Sequence, residues 1–231
     1  MFNDKYLVDR KFPTIFDDAL SFAEMAKNLN EDEDFDVEGR LARASILNAS
    51  LLPEVVSNCL IEKLYLPKSI FKTIDRLDPL GKFDYFLWSH NGTSLDKGTR
   101  EVQLISELQS IRNSVVHPKA KKTEWVQVDE RTREADFGMT SRLKIPQSSD
   151  DWIYDDAVKV IRVTMEFLDY VLRIKCGFDS QEVLHLLLNR GEDLEGKNVY
   201  YSVSYEWIQL HKLWSLKMDF MGMVLQPEDR I

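Results

Sequence analysis

The stretch Leu104-Ile105-Ser106-Glu107-Leu108-Gln109-Ser110-Ile111-Arg112-Asn113-Ser114-Val115-Val116-His117-Pro118 decides how this chain is read. Leu104, Leu108, Ile111 and Val115 fall at i, i+4, i+7 and i+11, which is one face of an α-helix. At about 100° per residue, Asn113 and His117 point almost opposite that face and Arg112 lies on its flank. Asn113 and His117 are four apart and therefore neighbours. Arg112 and His117 are five apart, about 140° on a straight helix, and would not converge on one atom from it. Pro118 steers the residue before it out of the α region, so His117 is expected to end the helix with its ring re-aimed. The alternative is that two copies of the segment face each other across a dimer.

Working outward, this helix is expected over about 99–117, with Thr99 as a candidate N-cap. Upstream, an irregular arm (1–13) leads to a short amphipathic helix over about 15–29, with Phe16, Leu20 and Ala23 at helical spacing. The acidic run at 31–34, with Asp36 and Glu38, reads as a solvated linker whose end supplies carboxylates to the next helix N-terminus. That helix is expected over about 37–66, with Leu41, Ala44, Leu51, Leu52, Val55, Cys59 and Leu60 on one face. Pro53 falls inside it and costs a helix roughly 3 kcal/mol, so the segment is kinked or is two helices. Glu54 and Asn58 share a face there. Short helices at about 69–77 and 83–89 are separated by Pro67, Pro79 and Gly81, and His90 is expected in a turn.

Downstream, Trp125-Val126-Gln127-Val128 and Met139-Thr140-Ser141-Arg142-Leu143-Lys144 alternate in side-chain type, which predicts a β-hairpin insertion over about 123–145. A long helix is expected over about 151–175, with Ile153, Ala157, Val160, Ile161, Thr164, Leu168, Val171 and Leu172 forming an apolar stripe and Gly177 closing it. Ser180 would cap another helix to about 189, and 200–225 reads as a strand then a helix, or as one helix. Trp207, Trp214, Phe220 and Met221 read as core or a partner face. The fold class is mainly α, an antiparallel helical bundle in a single domain over 1–231, with an accessory C-terminal segment over about 195–231.

Nine glycines and seven prolines are few for 231 residues, which argues against a loop-rich all-β design. A net charge of −9 gives no global pull towards nucleic acid, although a local patch can still be basic. Cys59 and Cys176 stand in apolar patterns with no CxxC or Cys/His cluster, so buried thiols in a reducing compartment are expected, and no zinc. No signal peptide is expected at the N-terminus, nor an apolar run near the roughly 18 residues of a membrane helix. The expected protein is soluble and cytoplasmic, without a membrane or a cofactor. Asp150, Asp151, Asp155 and Asp156 read as carboxylates at a helix start rather than a metal site. His185 and His211 read as structural.

The residues at the end of the 99–117 helix suit RNA cleavage without a metal. A histidine with a pKa near 6.5 takes or gives a proton at neutral pH, from a ribose 2′-hydroxyl or to a leaving oxygen. An arginine fork fits a phosphate and steadies charge developing on it. Asn113 would orient the histidine or the phosphate. Lys119, Lys121 and Lys122 follow at once and would draw in an RNA backbone. The same cations are also what a helix C-terminus favours through its dipole, by about 0.3–1 kcal/mol, with no function attached.

The string Ile111-Arg112-Asn113-Ser114-Val115-Val116-His117-Pro118 resembles the signature of HEPN domains, helical bundles found in toxin, phage-defence and RNA-processing systems. Their motif is an Arg, often followed directly by Asn, then a His after four to six intervening residues, and Arg112, Asn113 and His117 match it. A Glu-x-x-x-Asn step in an earlier helix is also common in that family, and Glu54 and Asn58 fit it. The resemblance covers about 40–119; a HEPN-like core of about 37–119 plus 150–190 would follow. Pro53 beside Glu54 and the hairpin depart from the pattern. The resemblance implies a homodimer whose two Arg/His motifs line one groove, an endoribonuclease or a non-catalytic RNA- or protein-binding module, and a protein partner such as an antitoxin.

Overall fold

The computed structural model describes residues 8–29, 35–120, 122–127, 129, 132–192, 198–200 and 204–225. In chain order the helices are α1 (Phe12–Lys27), α2 (Phe35–Glu62), α3 (Lys68–Ile74), α4 (Pro79–Asn91), α5 (Arg100–Val116), α6 (Tyr154–Asp169), α7 (Ser180–Leu187) and α8 (Tyr205–Leu213). Two short hairpins accompany them: β1 (Trp125–Gln127) pairs with β2 (Arg133–Ala135), and β3 (Arg190–Glu192) with β4 (Asn198–Tyr200). The fold is mainly α, as expected.

Helix α2 is the element that the others pack on; it touches α1, α4, α5, α6 and α7. Its buried face runs through Ala42, Ser45, Ile46, Ala49, Leu52, Val56 and Leu60. The expected face is therefore rotated, with Leu41, Ala44, Leu51 and Val55 at its half-buried edges. Small residues explain the shift. Ala19 and Ala23 of α1 and Ala42 and Ala49 of α2 are fully buried, and Ser45 enters the core because its hydroxyl donates to the Ala19 carbonyl at 2.7 Å. Pro53 does not divide α2, which continues through it to Glu62.

Over Asp36–Glu62, α2 is long and apolar enough to cross a bilayer by length and composition, contrary to the sequence expectation, yet 61% of its apolar 18-residue window is buried in the protein. Ser45, Asn48 and Ser50 interrupt any unbroken apolar run there, which is why simple inspection passes over it.

The expected stripe of α6 is buried in full at Ala157, Val160, Ile161, Thr164 and Leu168. Helix α6 then widens into a π-helical turn over Tyr170–Lys175, and Gly177 closes it with φ of 73°. Helix α7 is capped by Asp179, one residue earlier than expected: its carboxylate accepts from the Glu182 N–H at 2.8 Å and Glu182 reaches back to the Asp179 N–H at 3.1 Å. The C-terminal segment completes the core, since Trp207, Trp214, Phe220 and Met221 are all buried. Trp207 stands edge-on to Phe16 at 4.8 Å, and its indole N–H donates to Asp17. Cys59 and Cys176 are buried free thiols, and burial pushes the Cys176 thiol up to about 12. His90 lies in the last turn of α4, not in a loop, with its ring stacked on Phe86 at 5.2 Å. His185 is exposed on α7 and His211 is buried on α8.

The hairpin insertion exists, but its second strand is not the one expected. β1 pairs with Arg133–Ala135, and residues 139–147 form a loop with Lys144 at φ of 55°. Val8 bridges Arg190, so the end of the expected arm is tied to the body, and α1 begins at Phe12. Residues 1–7 and the acidic run at 31–34 lie outside the described residues.

A fully buried carboxylate joins the C-terminal segment to α6. Asp169 accepts from Arg173 at 2.7 and 2.8 Å and from Lys217 Nζ at 3.0 Å. Burial alone pushes this carboxyl up, but the hydrogen bonds from Arg173 and Lys217 outweigh it and hold it below the usual range. A carboxyl depressed in the folded state stabilises above its unfolded pKa, and that stability is lost as pH falls through the folded value. Asp169→Asn should therefore lower unfolding free energy by about 1.5–3 kcal/mol at pH 7, the range for hydrogen bonds to charged groups. In denaturant titrations the gap between wild type and variant should stay constant above about pH 5 and shrink below the ordinary Asp value of about 3.9.

Candidate functional site

Helix α5 buries Val102, Leu104, Ile105, Leu108 and Ile111 and leaves Ser106, Ser110 and Asn113 on its exposed side. Thr99 stands at its N-cap, but its hydroxyl donates to the Asp96 carbonyl at 2.8 Å rather than to the helix. The helix ends where Pro118 requires. His117 has left the α region with φ of −121° and ψ of 65°, although its N–H still donates to the Asn113 carbonyl at 2.9 Å. Its side chain is exposed at the C-terminus of α5, where the helix dipole favours a positive charge.

Arg112 is half-buried and faces α2. Its Nη2 lies 3.7 Å from Glu54 Oε2, and its Nη1 donates to Asn113 Oδ1 at 3.2 Å. The structure thus joins Glu54, Arg112 and Asn113 in one chain of polar contacts, with His117 one helical turn beyond. Asn58 does not join it. Its Oδ1 accepts from Lys82 Nζ at 2.7 Å, and Lys82 is nearly fully buried, with Asp75 Oδ1 at 3.7 Å as its other partner. Burying an ammonium is costly unless it is paired and hydrogen-bonded, so Asn58 serves the α2–α4 contact. Lys119 and Lys122 are exposed past the helix end, and Lys121 lies outside the described residues.

Sequence reasoning overlooked Glu107. Its carboxylate accepts from the backbone N–H groups of Ser141 (2.9 Å), Arg142 (2.9 Å) and Leu143 (2.7 Å), and from the Ser141 hydroxyl (2.8 Å). Burial alone pushes the Glu107 carboxyl up, and these hydrogen bonds more than reverse that, so it lies below the usual range. The latch explains why 139–144 is not a strand: the N–H groups a ladder would need already serve a carboxylate. Nothing local marks it, because a glutamate on a helix flank looks like solvated surface, and its partners are 34 to 36 positions away.

Among the described residues no cluster of three His, Cys, Asp or Glu side chains forms. No family model, no curated protein and no solved structure matches this chain.

Glu107→Gln keeps the length of the side chain and removes its charge. Hydrogen exchange at the amides of Ser141, Arg142 and Leu143 should then rise roughly tenfold, as expected for one charge-assisted bond of about 1.5 kcal/mol, while exchange in α6 stays unchanged. Equal protection in both proteins would show that the loop holds itself without the latch.

Proposed function

We propose that the C-terminal end of α5 is a metal-independent ribonuclease centre of HEPN type, in a cytoplasmic protein. Arg112 holds a phosphate of the RNA backbone, His117 exchanges the proton, and Asn113 orients the guanidinium. The observation that carries this reading is the Glu54–Arg112–Asn113 chain of contacts, with His117 one helical turn on, exposed where Pro118 ends the helix. A guanidinium with no task beyond helix capping has no need of a second helix to fix its direction, whereas one that receives a phosphate gains from being held in advance. The chemistry is attack of the 2′-hydroxyl oxygen on the neighbouring phosphorus, which forms the O2′–P bond as the P–O5′ bond breaks and leaves a 2′,3′-cyclic phosphate and a 5′-hydroxyl. The imidazole accepts the hydroxyl proton, or the imidazolium returns one to the departing 5′-oxygen.

One histidine supplies one proton function at a time. A homodimer in which two α5 ends face one groove would supply both an acid and a base, and Asn113 and His117 lie on an exposed face that leaves room for a second copy. Lys119, Lys121 and Lys122 extend the positive edge along which the strand would run. An antitoxin-like protein covering this edge would regulate such a centre, and a toxin–antitoxin, defence or RNA-processing setting fits it.

The test is incubation of single-stranded RNA with excess EDTA at neutral pH. Wild type should cleave to 2′,3′-cyclic phosphate and 5′-hydroxyl ends. His117→Ala and Arg112→Ala should each lose at least about a hundredfold in rate, the lower end of what general acid–base catalysis contributes. Cleavage retained in His117→Ala, or none by wild type, rejects the nuclease. Salt-sensitive RNA binding without any cleavage would favour the second reading, a HEPN-like RNA-binding module.

A further inference from the structure

The first two turns of α5 form one wall of a cleft of about 500 Å³ whose other walls are the start of α4 and Arg142. Leu80, Leu95 and Val102 are its apolar lining. Two carboxylates line it as well. Asp78 caps α4 by accepting from the Gly81 N–H at 2.6 Å, and Asp84 accepts from the Leu95 N–H at 2.8 Å, so both carboxylates are fixed in direction. Two cations, Lys97 and Arg142, and two neutral polar groups, Gln103 and Ser106, complete the lining. Among the described residues neither Lys97 nor Arg142 has an ion-pair partner. Arg142 does not reach the cleft by chance, since the Glu107 latch fixes its backbone N–H to α5 at 2.9 Å.

Apolar side chains, carboxylates fixed in direction and cations without an ion pair in one cleft match a nucleotide. Its base would lie against Leu80, Leu95 and Val102, an amino group of the base would donate to Asp84, and its phosphate would meet Lys97 and Arg142. The cleft is also in line with the end of α5. Ser106, Ser110, Asn113 and His117 recur at four, three and four residues and form one exposed polar stripe. From Ser106 to Asn113 it runs about 10 Å at 1.5 Å per residue, close to three steps of a stacked strand at about 3.4 Å each.

We propose that this cleft binds one nucleotide of a single-stranded RNA, bearing an amino-substituted base, and sets where along the strand the α5 end acts. The inference rests on the reading of that end as a centre acting on RNA, and it adds a subsite that selects the base.

Titration of the full-length protein with cytidine and guanosine 5′-monophosphates, followed by calorimetry, tests it. At least one nucleotide should bind with one site per chain, and ribose 5-phosphate and inorganic phosphate should bind at least about tenfold more weakly. Lys97→Ala with Arg142→Ala should weaken binding at least about tenfold, because two charge-assisted contacts to one phosphate are lost. Ser106→Trp, which fills the cleft and leaves both cations in place, should weaken it as much, and unchanged circular dichroism would show that these surface variants are folded. His117→Ala should bind like wild type. No binding of either nucleotide, binding unaffected by both variants, or phosphate binding as well as the nucleotides overturns the inference. Loss of RNA cleavage leaves this result untouched, since nucleotide binding without cleavage counts against the nuclease alone, and cleavage without nucleotide binding counts against the subsite alone.

Discussion

The burial of α2 is the constraint on which the rest depends. A helix that packs against five others cannot turn one simple stripe inward, and its buried face is built from alanines, serines and aliphatic residues that let the neighbours approach. Fully burying one Val, Leu or Ile side chain contributes roughly 1.5–3 kcal/mol, so Ile46, Leu52, Val56 and Leu60 together outweigh the hydrogen bond lost at Pro53. That balance keeps α2 continuous from Phe35 to Glu62 and fixes where Glu54 stands. Because α2 also touches α5, Glu54 can meet Arg112 from a second helix. The geometry of the candidate site is therefore a consequence of core packing rather than of the α5 segment alone.

The protein is acidic overall, with a net charge of −9, yet Lys97 and Arg142 line one cleft at the start of α5, and Arg112, Lys119 and Lys122 lie at or past its other end. Elsewhere cations are used within the structure, as Lys82 is by Asn58 and Asp75, and Arg173 and Lys217 are by Asp169. Lys97 and Arg142 are not used in that way among the described residues. Screening at physiological salt acts over about 8 Å, so a ligand at the cleft feels Lys97 and Arg142 more than the charge of the whole molecule.

Much of this was legible beforehand, for identifiable reasons. Helix α6 could be read because its apolar residues repeat with the period of a helix over four turns and a glycine follows. The end of α5 could be read because a proline acts locally on the residue before it. The buried face of α2 could not, since Ser45 looks polar until the Ala19 carbonyl accepts its hydroxyl. The strand expected over 139–144 failed for the same kind of reason: alternation is a local signal, and the Glu107 carboxylate that competes for those N–H groups comes from another element. Of the polar pair on α2, Glu54 reaches the candidate site and Asn58 is turned to Lys82, a division that spacing on one helix cannot foresee.

The contact between Arg112 and Glu54 bears on whether a phosphate could ever displace it. At 3.7 Å, with side-chain exposures of 28% and 42%, it is a pair in partial contact with water, and such pairs contribute roughly 0–1 kcal/mol. A phosphate engaging the guanidinium through two parallel hydrogen bonds gains more than that. Glu54 thus biases the direction of a flexible side chain without holding it firmly. A buried carboxylate such as Asp169 would hold its arginine too firmly for that exchange. The exposure of the pair at the α2–α5 contact therefore leaves Arg112 less firmly held by the fold than Arg173 is by Asp169.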